Sequence, residues 1–297
     1  MRILLLSILL AALLPRCESA ADCGIQSDPV CNPYLSDFLY LIPEEDRLSL
    51  GDTYFGDASA DIYRRSLDGQ ETILVSGLTN LGQIALDLNR GHIFFTDTLT
   101  VKRYDVSTGS VTVIANHGAD PLGVAVDPAT GNVFYTVTGD TNIYRTDAGG
   151  SSSSVFAVGT TQPALMAYDR WQDRVYIADI SAQTITAYDP DTAQIRYSVN
   201  VGEAAFGIAV DHPDFEALYY TTSGAGNLRQ VDTATGTVSS LATGLGNVTG
   251  IDLDYLARDL YFNDRTNTAA YRQSLRDGTM TQIASGRQFS ALKIAFD

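Results

Sequence analysis

The chain has 297 residues, with 19 Lys and Arg against 35 Asp and Glu, for a net charge of -16. That balance excludes a nucleic-acid partner, whose phosphates call for Lys and Arg, and argues against attraction to anionic lipid. It leaves two readings of the charge: plain solubility, or a basic partner.

Residues 1–21 read as a secretory signal. Arg2 is the basic start, Ile3–Leu14 the apolar core, and Ser19-Ala20-Ala21 the small residues of a cleavage site. The apolar run is too short to span a bilayer. Arg16 occupies the place where a lipid anchor on Cys17 would need a small residue. No later segment is apolar and long enough for a membrane helix, so the expected location is secreted and extracellular. Of three cysteines, Cys23 and Cys31 remain after cleavage. In an oxidising compartment they are expected to close one short disulfide loop.

Residues 22–50 form an N-terminal tail with Pro29, Pro33, Pro43 and the acidic run Glu44-Glu45-Asp46. Phe38-Leu39-Tyr40-Leu41-Ile42 is strand-like, and competes with Tyr54–Asp57 to be the second strand of the first repeat. The spacing favours Tyr54–Asp57.

The domain at 51–297 is built on one unit, first seen whole as IALDLNRGHIFFTD, Ile84–Asp97. A short strand ends on an acid, Asn89-Arg90-Gly91 turns the chain, and an aromatic, β-branched strand follows. The unit returns at Gly123–Val137, Leu165–Asp179, Gly207–Thr222 and Gly250–Asp264. The acids Asp87, Asp127, Asp169, Asp211 and Asp254 recur at intervals of 40–43 residues, and one more interval reaches Asp297. Two further strands follow each unit, such as Val101–Asp105 with Ser110–Ala115, joined by turns like DVSTG. Four short strands per repeat, six times, predict an all-β, six-bladed β-propeller with four antiparallel strands per blade. The copies are out of phase: the domain opens on a second strand and finishes on a first. Phe289–Asp297 is therefore expected to supply the inner strand of the N-terminal blade and close the ring.

FFTD, YFGD, YIAD and YFND resemble the Tyr-Trp-Thr-Asp motif of low-density-lipoprotein-receptor class B repeats. GVAVD and GIAVD, about ten residues ahead of the motif, resemble the same family, as does IYRRSLDG at Ile62–Gly69. The resemblance extends over residues 52–297. Val137 and Thr222 replace the motif acid in two copies. It implies a propeller ectodomain that captures a protein or peptide ligand on one face.

The repeated motif residues are expected to be structural, because a catalytic site needs one arrangement and not six. The aromatics Phe95, Tyr135, Tyr220 and Phe262 should pack between blades. The acids Asp57, Asp97, Asp179 and Asp264 should accept hydrogen bonds from nearby donors. The three histidines fall at unrelated places in the repeat, and no nucleophile elbow, metal-binding His pair or phosphate loop is present. A calcium-dependent propeller hydrolase, similar to lactonases and esterases, is the alternative. It needs Asn, Asp and Glu converging at the inner strand ends, where this chain carries mostly Gly, Ala, Ile and Val. A structural matrix protein is a second alternative. The main expectation is therefore a binding module without cofactor or metal, whose partner is an extracellular protein or peptide. Nothing in the sequence sets an oligomeric state.

Loops entering the inner strands and loops joining the second strand to the third share one end of a propeller. That end is expected to carry the binding face, with Asn80, Asp120, Leu122, Gln162, Glu203, Phe206, Arg265 and Phe289. Asn247-Val248-Thr249 is the glycosylation sequon and sits there too. Inside the repeat, Ala precedes the acid by two residues in five blades, but Asp252 replaces it in the sixth. Lys293 and Gln83 stand four residues before their acids, where three other blades have Gly. Asp252, Lys293 and Gln83 are expected to form a polar cluster in the channel, with Asp252 paired to Lys293.

Overall fold

The computed structural model describes residues 51–294, apart from 58, 212–215 and 223. The signal, the Cys23–Cys31 disulfide and the strand at 38–42 lie outside the described residues, as do residues 295–297.

The described chain is all strand and turn. β1 (Thr53–Asp57), β2 (Ile62–Arg65) and β3 (Glu71–Val75) come first. Blade two is β4 (Leu81–Asp87), β5 (His92–Asp97), β6 (Thr100–Asp105) and β7 (Ser110–Asn116). Blade three is β8 (Pro121–Val126), β9 (Asn132–Val137), β10 (Ile143–Asp147) and β11 (Ser153–Ala157). Blade four is β12 (Pro163–Asp169), β13 (Arg174–Asp179), β14 (Thr184–Tyr188) and β15 (Ile195–Asn200). Blade five is β16 (Ala205–Asp211), β17 (Ala217–Thr222), β18 (Leu228–Asp232) and β19 (Val238–Ala242). Blade six is β20 (Val248–Asp254), β21 (Asp259–Asp264), β22 (Ala269–Ser274) and β23 (Met280–Ser285), after which comes β24 (Phe289–Ile294). β24 pairs with β1, so blade one has the order β24-β1-β2-β3 and the ring closes as the phase offset requires. Tyr54–Asp57 is thus the second strand of blade one.

The second strand of each blade explains the motif. Side chains of a strand alternate between its two faces, and each face of a blade meets a neighbour. Phe95 packs back onto blade one with Tyr54 and Ile62, while Phe94 packs forward onto Val124 and Val126 of blade three. Tyr135, Tyr220 and Phe262 likewise pack against the preceding blade. The turn at Gly91 needs a positive φ and has one, 64°.

The motif Thr has a role the sequence reading left out. The inner strands carry an extra residue near their start, seen as a register shift in all six. At that bulge the Thr136 hydroxyl accepts from Gly123 N at 2.8 Å and donates to Ala164 O of the next blade at 2.7 Å. Thr96 and Thr221 make the same bridge. The backbones come so close that a Cβ on Gly123 would lie 2.4 Å from Ala164 O. Blade four has Ala178 and blade one Gly56 at this position, so neither has the bridge.

Candidate ligand site

Register decides what meets in the channel. Ile84 pairs with Phe95, Ile251 with Phe262 and Leu292 with Phe55. Lys293 therefore stands at the level of Ala85, Ala125, Ala167, Ala209 and Asp252. Aligning Asp297 with the other closing acids placed β24 two residues out of register, and the pairing corrects this. The correction explains why Lys293 and Asp252 meet: they are side by side on adjacent inner strands. Lys293 Nζ donates to Asp252 Oδ1 at 3.0 Å, and Ile294 N donates to Asp252 Oδ2 at 2.8 Å. Their side chains are 15% and 16% exposed.

Gln83 does not join them, because it lies one layer further in. Its Oε1 accepts from Val124 N at 2.8 Å and Met166 N at 3.0 Å, and its Nε2 donates to Met166 O at 2.7 Å. An inner strand has no partner on its channel side, so its outward N–H and C=O groups need acceptors and donors of another kind. Gln83 supplies them for β8 and β12, and Asp252 for β24.

Below Gln83, towards the turns between first and second strands, is a cavity of about 120 Å³. Four alanines, Ala85, Ala125, Ala167 and Ala209, wall it together with the Asp252–Lys293 pair. The volume suits a group of a few heavy atoms, since a liquid water takes about 30 Å³. Its mouth is formed by Arg170, Trp171 and Tyr255 from two of the turns. Asp169 ends β12 and accepts from Trp171 N at 2.9 Å and Gln172 N at 3.2 Å, which fixes that turn. The Arg170 guanidinium lies over the Trp171 ring, 4.7 Å from its centroid, and Tyr255 meets the ring edge-on at 6.4 Å. Such stacking orients a guanidinium and leaves its in-plane N–H groups outward.

The opposite end holds the face expected from sequence, and its polar groups are largely engaged. The motif acids tie its loops down. Asp97 accepts from Thr79 N and Asn80 N, Asp179 from Thr161 and Gln162 N, and Asp264 from Gly246 N and Asn267. Burial raises the Asp97 carboxyl, but the Asn80 and Thr79 amides and Lys102 together hold it below the usual range. Asn80, Gln162 and Arg265 are exposed, and Asp120, Asn247, Leu122 and Phe206 are half-buried. Leu122 and Phe206 pack on the core of blades four and five.

One residue of that face is corrected, and a second stays there but is engaged. Phe289 is 1% exposed and meets Phe55 edge-on at 5.2 Å. As the first residue of β24 it belongs to the seam between blades six and one, not to the rim. Glu203 is not a free rim charge: it accepts from Tyr220 OH at 2.9 Å, Asn227 Nδ2 at 3.0 Å and Arg229 Nε at 2.8 Å. Burial alone would raise its carboxyl, yet these three donors hold it below the usual range.

Arg170, Trp171 and Tyr255 were passed over in the sequence. The available signal was compositional: the chain's one Trp sits in this turn. Among the described residues no three His, Cys, Asp or Glu side chains converge as a metal site, and no helix is long and apolar enough to cross a membrane.

No family model matches the chain, and no curated protein matches it in sequence. Among solved structures, a chain from the crystal structure of a nidogen/laminin complex is similar in fold. The TM-score is 0.71 at 17% identity, covering 82% of this chain and 98% of that one. The likeness is one of fold, a β-propeller.

Proposed function

We propose that the protein is a secreted, extracellular binding module that captures a protein or peptide partner on one end of its ring. The observation that carries this is the concave seat on the axis, with an apolar wall and an aromatic and cationic mouth. Such a mixture suits anchoring a side chain of a partner. The similar fold in a nidogen/laminin complex supports a role in protein assembly. The net charge of -16 favours a partner that is basic over most of its surface. The module works without metal or cofactor, so a chelator should leave its melting temperature unchanged. A large fall on chelation would favour a calcium-dependent hydrolase instead.

Affinity capture from extracellular fluid with the full chain tests the function. A partner that binds saturably to the wild type is the expected result. Failure to retain any partner from a fluid in which the protein occurs naturally sinks the proposal. Asn247 is the proposed glycan site; a mass change on deglycosylation of the secreted chain is expected, and no change removes it.

A further inference from the structure

The cavity is lined by two cations, Arg170 and Lys293, and two carboxylates, Asp169 and Asp252. Arg170 donates to no acceptor among the described residues, although it lies at a mouth and in a chain rich in carboxylates. Arginines in the equivalent turns behave otherwise: Arg90 reaches Pro128 O and Ala129 O of the next blade, and Arg258 reaches the Asp211 carboxylate of the preceding one. Lys293 has three N–H groups and spends one on Asp252. Both oxygens of Asp252 are already bonded, one to Lys293 and one to Ile294 N. The cationic groups with N–H to spare are therefore a stacked planar fork at the mouth and an ammonium on the wall, while the two lining carboxylates, Asp169 and Asp252, already accept bonds from the protein.

We propose that the cavity is a receptor for a single carboxylate of the partner, held between Arg170 and Lys293 with its short stem against the four alanines. This rests on the protein-binding function above and adds the end of the ring and the chemistry of the anchor. A guanidinium fork matches a carboxylate bidentately. A neutral amide would cover Arg170 without pairing its charge, and an ammonium would leave Arg170 unpaired while competing with Lys293 for Asp252. The net charge of -16 repels acid-rich ligands at long range, so the occupant is an isolated carboxylate on an otherwise basic partner. Two sources carry that group, an Asp or Glu side chain and a chain terminus.

Trp171 is the chain's single Trp, so its fluorescence reports on this mouth alone. The full chain is titrated with N-acetylglutamate α-amide, N-acetylalanine, the neutral N-acetylglutamine amide and inorganic phosphate. A saturable change with one or both carboxylates and none with the neutral amide is expected, and the better of the two identifies the source. R170Q should weaken the response about tenfold or more while melting as the wild type does, and R170K should restore it only in part. An equal response to the neutral amide, no saturable response to either carboxylate, tighter binding of phosphate, or an unaltered R170Q titration overturns the proposal. Partner capture is run on the same proteins. A partner held equally by wild type and R170Q overturns the carboxylate seat and leaves the binding function standing. Saturable carboxylate binding with no partner captured leaves the seat and overturns the protein-binding function.

Discussion

The two ends of the ring use hydrogen bonds in opposite ways. At the end where the inner strands begin, donors and acceptors are consumed locally. Motif acids bind loop amides, and Glu203 collects three donors from its own blade. At the end where the inner strands turn back, the cavity keeps a stacked guanidinium and an ammonium with N–H groups to spare. A polar surface that has satisfied itself holds the fold in place; one that has not is prepared for something else. Counting polar residues on a face does not separate the two, whereas counting unspent donors does.

That contrast can be broken at several points. Phe289→Ala is the largest expected loss, about 3–5 kcal/mol for emptying a buried aromatic site. A thermal melt of this variant unchanged from wild type would return Phe289 to the rim. Asp252→Ala comes next, at about 3 kcal/mol, because it strands both Lys293 and Ile294 N beside a partly open cavity. A double-mutant cycle with Lys293→Ala should be strongly non-additive, and additive losses would mean the pair does not form. Thr136→Ala should cost about 1–3 kcal/mol by leaving Gly123 N and Ala164 O buried and unpaired. Urea melts that match wild type would show that the hydroxyl bridge does not join blades three and four.

Acid sharpens the comparison from the loop side. Glu203 titrates lower in the folded chain than its ordinary value of 4.5. Its contribution to stability is therefore complete above pH 4.5 and is lost as the pH falls through the lower folded value. Glu203→Gln should destabilise at neutral pH and flatten the acid side of the stability curve; a parallel downward shift at all pH values would contradict the assignment. The smallest effect belongs to Asn80→Ala, an exposed side chain, within about 0.5 kcal/mol of wild type by thermal melting.

Six-fold repetition made the architecture readable. One strand can be misjudged from its residues, but six copies at a common interval average the errors out. The same device failed where copies differ. β24 was aligned on Asp297, the acid that the interval predicts, and so fell two residues out of register. Its apolar pattern, with Leu292 opposite Phe55, is what the core selects. Lys293 and Asp252 still met, since a two-residue slip keeps a side chain on its face. Gln83 was set level with Lys293 only through that slip. Phe289 was misread because the inner strand starts at that residue, and the first residue of each inner strand other than the bulge is buried. Arg170 and Trp171 escaped because a repeat-based reading discards what does not repeat, and a ligand site is by nature the part that does not.

The pairing of β24 with β1 has a consequence for how the protein is made. The earliest strand of the ring leaves the ribosome long before its partner exists. Throughout synthesis, β1 presents a bare edge of N–H and C=O groups, the kind of edge that recruits stray strands. The contact that completes the ring is also the one most remote in sequence, so the entropy of closing the whole chain falls on the final step. Blades two to six can form as they emerge, but blade one waits for the last strand. The protein's most vulnerable interval is set by translation, and a chaperone that covers the edge of β1 would act where the risk is concentrated.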